Sequence, residues 1–263
     1  MIDVHSHILP DIDDGSRSME ETIEMIKQAK EAGFDAIIST SHYLEGYYEA
    51  DVKTRTNLIK KIKEELKKQK IDIDLYIGSE IYISENLEEL VKNKKVSCLN
   101  NSDYMLFEFP LNAKPINMKD LIYSIQKLKK IPVLAHPERY AFIQEDPEII
   151  YELIEMGVLM QSNYSSFIGR YGSKAETLAK KMLKCNMIHM LGSDCHRKNT
   201  TYKEIDEVLK IIDSIAGEEK RKELTSINPM HVVKKEKFEI DIPEEIKFTA
   251  SEKFVEKIKK IFK

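Results

Sequence analysis

Short apolar runs alternate with longer amphipathic stretches along most of the chain. The apolar runs are typical of buried strands, and the stretches between them have hydrophobic residues at helical spacing. The pattern predicts seven strands, at 2–7, 36–42, 71–80, 104–109, 131–136, 158–163 and 187–196. Strands that alternate with helices favour a parallel α/β sheet. We therefore expect an α/β barrel in a single domain over residues 1–263, with a C-terminal helix at about 251–263 packed on or beside it.

Helix-boundary signals lie between the predicted strands. Ser18 and Glu21 have the spacing of a capping box, which predicts a helix start, and Gly33 is expected to end that helix. Asp146-Pro147 and Gly157 bracket another helix in the same way. Further helices are predicted at about 51–69, 117–130 and 172–186.

Residues that bind metals recur where the predicted strands end. In the opening segment MIDVHSHILPDIDDGS, the side chains of Asp3, His5 and His7 share one face of a strand. A lone His-x-His also suits a polar edge strand. The later strand ends, however, supply a matching series: His42, Glu80, Glu108, His136, Asn163, Asp194 and His196. Because the C-terminal ends of the strands carry the site of a β/α barrel, we expect these side chains to converge and His5 and His7 to be metal ligands. His189 and His231 fall outside the series and are expected to be structural.

Imidazole and carboxylate groups without a thiolate cluster suit Mn²⁺, Fe²⁺ or Zn²⁺. The number of candidate ligands exceeds the needs of one ion, so the sequence predicts a cluster of two or three ions held together by a bridging carboxylate. Such a cluster lowers the pKa of bound water toward about 7 and stabilises an in-line phosphoryl displacement. Hydrolysis of a phosphate ester is the expected chemistry, and hydrolysis of an amide or C–N bond stays open.

The segment HPERY (136–140) adds a cation beside this site. Arg139 follows the presumed ligand His136 by three residues, and a guanidinium can hold a phosphate through two parallel hydrogen bonds. The alternative is a surface salt bridge to Glu138 or Glu145.

Composition narrows the class of protein. The net charge of −4 gives no electrostatic sign of nucleic-acid binding. No apolar run approaches the roughly 20 residues that span a bilayer, and the first residues do not resemble a signal peptide. The three cysteines are odd in number and without paired spacing, so reduced thiols and a cytoplasmic location are expected. No cysteine is followed by Arg six residues later, which disfavours a thiol mechanism, and Cys195 is expected to pack rather than react.

Taken together, the motifs resemble a known family. They are MIDVHSHILPDIDDGS, the strand that ends in His42, Glu80, LFEFPL (106–111), AHPERY (135–140) and GSDCH (192–196). They are similar to the bacterial manganese-dependent protein-tyrosine phosphatases of the polymerase-and-histidinol-phosphatase (PHP) superfamily, which act in capsule and exopolysaccharide control. The resemblance runs from residue 1 to about 235. It implies a distorted seven-stranded β/α barrel with its site at the C-terminal ends of the strands.

The same resemblance implies a three-metal cluster and assigns its ligands. The first ion would be held by His5, His7, Glu80 and Asp194. The second would be held by Glu80, Glu108 and His136. The third would be held by Asp14, His42 and His196, with Asp13 the less favoured carboxylate. Arg139, Asp194 and His196 are the expected catalytic residues. The expected cofactor is Mn²⁺, as two or three ions, with Fe²⁺ or Zn²⁺ as alternatives.

This chain departs from the family pattern at a few positions. Ser41 and Tyr43 flank His42 where the family usually has Pro and often has His, and Thr201 replaces a common Arg. Arg197 is a candidate substitute for that arginine as a phosphate-binding residue. Tyr47 and Tyr48 follow His42 and are expected to line the pocket for a phosphotyrosine ring.

We therefore expect an enzyme that hydrolyses phosphotyrosine in a protein, with a cognate bacterial tyrosine kinase as its partner. Two alternatives stay open. One is a small-molecule phosphatase of the same superfamily, such as one acting on histidinol phosphate. The other is a kinase-binding regulator with a vestigial site, which the full set of ligands disfavours.

Overall fold

Parallel strands alternate with helices in the computed structural model, which describes residues 1–246. Nine strands occur in this part of the chain: β1 Ile2–Ser6, β2 Ala36–Ser39, β3 His42–Tyr43, β4 Asp74–Ile77, β5 Glu80–Tyr82, β6 Tyr104–Glu108, β7 Ile131–Ala135, β8 Leu159–Asn163 and β9 Met190–Gly192. They form a three-stranded sheet in the order β1-β2-β4 and a six-stranded sheet in the order β3-β5-β6-β7-β8-β9. All the paired strands are parallel.

Most of the helices lie between strands, and the last two follow β9. Within residues 1–246 they are α1 Met19–Glu31, α2 Val52–Lys68, α3 Leu87–Lys92, α4 Met118–Lys127, α5 Ala141–Glu145, α6 Glu148–Glu155, α7 Ser173–Lys184, α8 Ile205–Lys222 and α9 Asn228–Lys234. None of these helices is both long and apolar enough to cross a membrane. The helix expected at about 251–263 lies outside the described residues.

The parallel α/β architecture is confirmed, whereas seven continuous strands are not observed. Two predicted strands are each divided in two, at residues 40–41 and 78–79. The last predicted strand is also shorter than expected, because only Met190–Gly192 forms a strand, which pairs with β8. The two sheets meet where β1 approaches the chain after β9, with Asp194 N donating to His5 O at 2.7 Å and His7 N to Cys195 O at 3.0 Å. Gly192 permits this approach, since a Cβ there would lie 2.5 Å from the Cβ of His5.

The predicted start of α1 is confirmed. Ser18 is its N-cap, and the Ser18 hydroxyl accepts a hydrogen bond from Glu21 N at 3.2 Å. The reciprocal half of the capping box is displaced by one residue, because Glu21 accepts from the backbone N–H of Arg17 instead. Gly33 follows the helix with a φ of +88°, which glycine adopts without strain.

Apolar side chains cover both faces of the strands, as parallel sheets require. Ile37, Phe107 and Leu134 belong to a large cluster that includes residues from the helices. Their chain neighbours Ile38, Leu106 and Val133 belong to a smaller cluster that includes Val232 of α9. With both faces covered, the ends of the strands are left to carry polar groups.

Candidate metal centre

The loop after β1 folds back onto its own strand. Ser16 N donates to His7 O at 3.0 Å. Gly15 is required at this turn, because a Cβ there would lie only 2.3 Å from His7 O and 2.8 Å from Asp13 Oδ1. The return of the chain brings the two aspartates of the DDGS segment beside the histidines of β1.

Three histidines have one ring nitrogen held by a neighbouring oxygen. His5 Nδ1 is 2.6 Å from Gln161 Oε1, and His7 Nδ1 is 2.9 Å from Asp13 Oδ2. His196 Nδ1 is 2.9 Å from the backbone oxygen of Asp194. Each of these oxygens favours the tautomer with the proton on Nδ1, which leaves Nε2 with its lone pair free. A hydrogen bond to the ring nitrogen that does not face the metal is the usual means by which proteins orient metal-binding imidazoles.

Glu80 lies at the centre of the site. Its Oε2 atom is 3.1 Å from His5 Nε2, 3.2 Å from His7 Nε2 and 3.0 Å from His42 Nδ1. Its other oxygen, Oε1, is 2.9 Å from His136 Nε2. Although three nitrogens surround Oε2, none has the geometry of a hydrogen bond to it, and the atom is buried. A buried carboxylate oxygen that lies close to three imidazole nitrogens without a hydrogen bond suits a shared cation.

The candidate ligands form three overlapping groups. Within each group, the donor atoms all lie within 4.8 Å of one another. The first group contains His5, His7, Glu80 and Asp194, the same four residues expected for the first ion. The second contains His42, Glu80 and Glu108, and the third contains His7, Asp14, His42 and His196.

The second and third groups differ in part from the expected sets. His42 joins Glu80 and Glu108, because its Nδ1 is 2.9 Å from Glu108 Oε1. His136 was expected with this pair and lies beside it, 4.0 Å from Glu108 Oε2. His7 joins the third group, which was expected to contain only Asp14, His42 and His196. His42 therefore faces two groups, one from each ring nitrogen.

Asp13 and Asp14 occupy different environments. Asp13 is enclosed by His7, the backbone N–H of His42 at 2.9 Å and that of Gly15 at 2.9 Å. Asp14 Oδ1 is 3.3 Å from His196 Nε2 and 3.6 Å from His42 Nε2. Since the acceptor capacity of Asp13 is largely used, the geometry favours Asp14 as the carboxylate that faces an ion.

Two candidate ligands have left-handed backbone conformations, with φ of 38° at His136 and 49° at Asp194. Residues other than glycine seldom adopt this conformation, and such strain is concentrated at functional sites. Here it occurs directly after β7 and shortly after β9, where the chain turns toward the other ligands.

The electrostatics of the site favour cations. Burial alone would lower the pKa of His42, but Glu80 and Glu108 outweigh it and raise the pKa to about 9. Burial would raise the pKa of Glu80, yet the surrounding histidines hold it well below its usual range. Glu80 is thus anionic near neutral pH, and the site concentrates negative charge among its imidazoles, with Arg139 as a further cation at its edge.

A divalent metal fits these residues. The donor set is imidazole and carboxylate, and the buried atoms Glu80 Oε2 and His136 Nδ1 have no hydrogen-bond partner within residues 1–246. Buried polar atoms are rarely left unpaired, so these two atoms are consistent with a site that binds a cation or ordered solvent.

Arg139 lies at the edge of this cluster and contacts one of its members. Its Nη1 atom donates to Asp194 Oδ2 at 2.6 Å, and its guanidinium carbon is 4.3 Å from the centre of the Tyr171 ring. The surface salt bridge considered as an alternative, to Glu138 or Glu145, is therefore not the main contact of this side chain. Asn163 also donates to Asp194 Oδ2, at 2.7 Å.

The expected substrate-binding residues have different environments. The Tyr48 ring stacks on His42 with centroids 6.0 Å apart, whereas the side chain of Tyr47 is exposed. The guanidinium of Arg197 donates to Gly15 O, which ties it to the loop after β1. Thr201 is buried and accepts a hydrogen bond from Ser165 at 3.3 Å.

Residues that the sequence patterns did not single out also support the site. Gln161 orients His5, Tyr171 contacts Arg139, and the buried Arg55 reaches the backbone of His42. Glu138 is fully buried and accepts from Asn163 N at 2.9 Å and from Ser166 Oγ at 2.6 Å, which links the turns after β7 and β8. Gln161 could have been predicted from the sequence, because it lies two residues before the strand end at Asn163 and therefore shares its face of the strand.

Cys195 packs as expected. It is buried between two candidate ligands in sequence, and its Sγ donates to Arg197 O at 3.3 Å. Burial raises the pKa of this thiol to about 12, so it is protonated at neutral pH. His189 is also buried, and its Nδ1 accepts from Met160 N at 2.9 Å.

Comparison with known proteins shows the family to which the chain belongs. The model of the family described as capsular polysaccharide synthesis, CpsB/CapC, matches residues 1–234. The putative tyrosine-protein phosphatase CapC of Staphylococcus aureus is 37% identical over 196 residues, which are 74% of this chain and 77% of that protein. The tyrosine-protein phosphatase YwqE of Bacillus subtilis is 32% identical over 219 residues, which are 83% and 86% of the two chains.

A solved structure is also similar. It comes from a study of YwqE from Bacillus subtilis and CpsB from Streptococcus pneumoniae, described as metal-dependent tyrosine phosphatases, and it superposes with a TM-score of 0.88 at 29% identity. The match covers 94% of this chain and 100% of the other. The resemblance to bacterial metal-dependent tyrosine phosphatases is confirmed, and the chain belongs to the CpsB/CapC family of capsular polysaccharide synthesis proteins.

Proposed function

We propose that this protein is a metal-dependent tyrosine-protein phosphatase that acts in the control of capsule or exopolysaccharide synthesis. The observation that carries the proposal is the convergence of three candidate metal groups on His42 and Glu80, with Arg139 at their edge. Family membership supports it, since CapC and YwqE are named as tyrosine-protein phosphatases.

In this proposal the two sheets act as one distorted seven-stranded barrel, and its C-terminal mouth carries the site. The divided strands β2–β3 and β4–β5 each count as one strand, because His42 and Glu80 remain paired in parallel register beyond the breaks. The contact between β1 and the chain after β9 supports closure on the other side.

The proposed cofactor is Mn²⁺, as two or three ions, with Fe²⁺ or Zn²⁺ as alternatives. His5, His7, Glu80 and Asp194 would hold the first ion. Glu80, Glu108 and His136 would hold the second, with His42 close by, and Asp14, His42 and His196 would hold the third. When bound, such ions supply Lewis acidity toward phosphate oxygens and toward water.

Arg139 is the proposed phosphate-binding residue. Its Nη1 atom is used by Asp194, which leaves the remaining guanidinium N–H groups for an anion. Stacking of Tyr171 on the guanidinium fixes the plane in which those groups point. Asp194 thereby links phosphate binding to the first group, since its other oxygen is 3.5 Å from His5 Nε2. Asp194, Arg139 and His196 are the proposed catalytic residues, and His196 Nδ1 is 3.4 Å from Asp194 Oδ1.

Tyr48 and Tyr47 are proposed to contact the phosphotyrosine ring. Tyr48 already stacks on His42, and the exposed Tyr47 is free to turn toward a bound peptide. Arg197 remains a candidate for a second phosphate contact in place of the arginine that Thr201 replaces. The contact of Arg197 with Gly15 O keeps it beside the DDGS loop, and Asp14 in that loop belongs to the third group.

The proposed substrate is a tyrosine-phosphorylated protein, with a cognate bacterial tyrosine kinase as the partner. The deciding experiment compares a tyrosine-phosphorylated peptide with histidinol phosphate, each with and without added Mn²⁺. Turnover of the peptide that requires metal supports the proposal. Preference for histidinol phosphate would assign a small-molecule phosphatase, and turnover of neither compound by Mn²⁺-loaded protein would favour a non-catalytic regulator.

A further inference from the structure

Arg55 is fully buried, although it lies on the lysine-rich helix α2. Its hydrogen-bond acceptors within the described residues are neutral oxygens, and its guanidinium carbon lies 5.8 Å from the centre of the Tyr43 ring. Nη1 donates to Gly78 O at 3.3 Å and to the hydroxyl of Ser79, and Nη2 donates to His42 O at 3.4 Å. Nε has no partner in residues 1–246, and burial lowers the pKa of the guanidinium to about 10. A buried cation without a paired anion destabilises a fold, so its presence calls for a compensating role.

The oxygens that Arg55 binds lie at the two breaks in the sheet. Gly78 and Ser79 separate β4 from β5, and His42 is the first residue of β3 after the break at 40–41. Backbone hydrogen bonds carry the strand pairing across both breaks, with Gly78 N donating to Ser39 O at 2.7 Å and Glu80 N to Thr40 O at 2.9 Å. The guanidinium therefore connects two bends in neighbouring strands, and both bends precede a candidate ligand.

Those two ligands are among the three that the metal groups share, and His7 is the third. Glu80 belongs to the first and second groups, and His42 belongs to the second and third. They are paired in register, and His42 Nδ1 is 3.0 Å from Glu80 Oε2. A shift of either bend would move both side chains relative to the rest of the cluster.

We propose that Arg55 is a positioning residue that fixes His42 and Glu80 for metal binding through the backbone of the two strand breaks. The inference rests on the proposed metal centre and adds to it a residue that is not a ligand. Arg55 itself is not proposed to contact a metal ion. Its effect is to hold the two bends at the spacing that the shared ligands require.

The test separates positioning from simple packing. Arg55→Met removes the donors but keeps a long apolar side chain, and Leu66→Ala is the matched control, because Leu66 is buried on the same helix. For each protein, Mn²⁺ per chain is measured by elemental analysis after gel filtration, and Mn²⁺ affinity by calorimetric titration of the metal-free protein. Urea unfolding of the metal-free proteins shows how much stability each change removes.

Arg55→Met is expected to lose at least one Mn²⁺ per chain, or to bind Mn²⁺ at least about tenfold more weakly. Leu66→Ala should lose stability and keep wild-type binding. Wild-type Mn²⁺ content and affinity in Arg55→Met would overturn the proposal. If Arg55→Met does not fold, Arg55→Lys and Ser79→Ala replace it, and wild-type binding in both would likewise overturn the proposal.

These measurements do not depend on turnover. If the wild-type protein binds Mn²⁺ but does not hydrolyse a phosphotyrosine peptide, the proposed phosphatase function fails, and the Arg55 result is still readable from metal content.

Discussion

Arg139 and Asp194 form an ion pair at the edge of the candidate metal centre, with Nη1 2.6 Å from Oδ2. The other oxygen of the same carboxylate is 3.4 Å from His7 Nε2. One aspartate thus connects the proposed phosphate-binding residue with the proposed ligands. Because Asn163 also donates to Oδ2, the position of Asp194 does not depend on the arginine alone.

Arg139→Ala is therefore expected to retain metal and lose activity. We predict a fall in kcat/KM for a phosphotyrosine peptide of roughly 100- to 1,000-fold, the scale of removing a preorganised charged donor. Elemental analysis should give the wild-type Mn²⁺ content. Arg139→Lys keeps the charge but lacks the planar pair of donors. Full activity in that variant would show that bidentate hydrogen bonding to the phosphate is not needed.

Tyr171 supports the same guanidinium from one side, with 4.3 Å between the guanidinium carbon and the ring centre. Tyr171→Ala should lower kcat/KM by about three- to tenfold, as expected for a contact of this kind worth about 1 kcal/mol. Tyr171→Phe keeps the ring face and should stay close to wild type. Equal losses in the two variants would assign the effect to the hydroxyl group instead.

The strand-end rule predicted most of the candidate ligands, because it depends on local pattern alone, whereas Asp14 was implied by the family resemblance. Alternation placed His5 and His7 on one face, and the ends of the apolar runs gave His136 and Asp194. The breaks at 40–41 and 78–79 could not be read in this way, since they are set by contacts between strands and by a helix side chain.

The burial of Arg55 likewise could not be predicted from local sequence pattern. Within α2 it has the appearance of one more exposed cation among lysines, and only the tertiary packing reveals that it is buried. Tyr171 lies in a loop between the 3₁₀ turn at Tyr164–Ile168 and α7, where hydrophobic periodicity gives no information. Seven continuous strands are not observed in residues 1–246 for the related reason that backbone pairing, rather than an apolar run, defines a strand.

Glu80 should be the least replaceable carboxylate of the site, because it is shared by two groups. Glu80→Gln keeps the shape and removes the charge, and we expect fewer Mn²⁺ ions per chain together with a large loss of rate. Glu88→Gln, at an exposed position on α3, is the matched control and should be neutral. Unchanged metal content and rate in Glu80→Gln would contradict the bridging role.

Cys195→Ser should keep most of the activity. The thiol is buried, and its pKa is raised to about 12, so a thiolate nucleophile is not available at neutral pH. A serine hydroxyl can also donate to Arg197 O, as Sγ does at 3.3 Å. The retained activity is measured as the steady-state rates of Cys195→Ser and of the buried control Cys98→Ser. A loss of several orders of magnitude in Cys195→Ser alone would point to thiol chemistry.

His189 gives the fold a defined sensitivity to acid. Burial, and to a smaller degree Lys220, lower the pKa of this imidazole from 6.5 to about 4. Its Nδ1 accepts a hydrogen bond from Met160 N at 2.9 Å, which requires the unprotonated nitrogen. The unfolded chain takes up a proton near pH 6.5, whereas the folded chain does not until about pH 4, so the free energy of unfolding falls across this interval.

The expected contribution is at most about 3 kcal/mol, lost progressively as the pH falls from about 6.5 to about 4 and constant above that range. His189→Asn places an oxygen near the position of Nδ1 and cannot be protonated, so its stability should depend less on pH in this interval. Urea unfolding of both metal-free proteins at several pH values isolates the effect, because the histidines of the metal centre are common to both. Parallel curves for the two proteins would show that His189 does not remain neutral in the folded state.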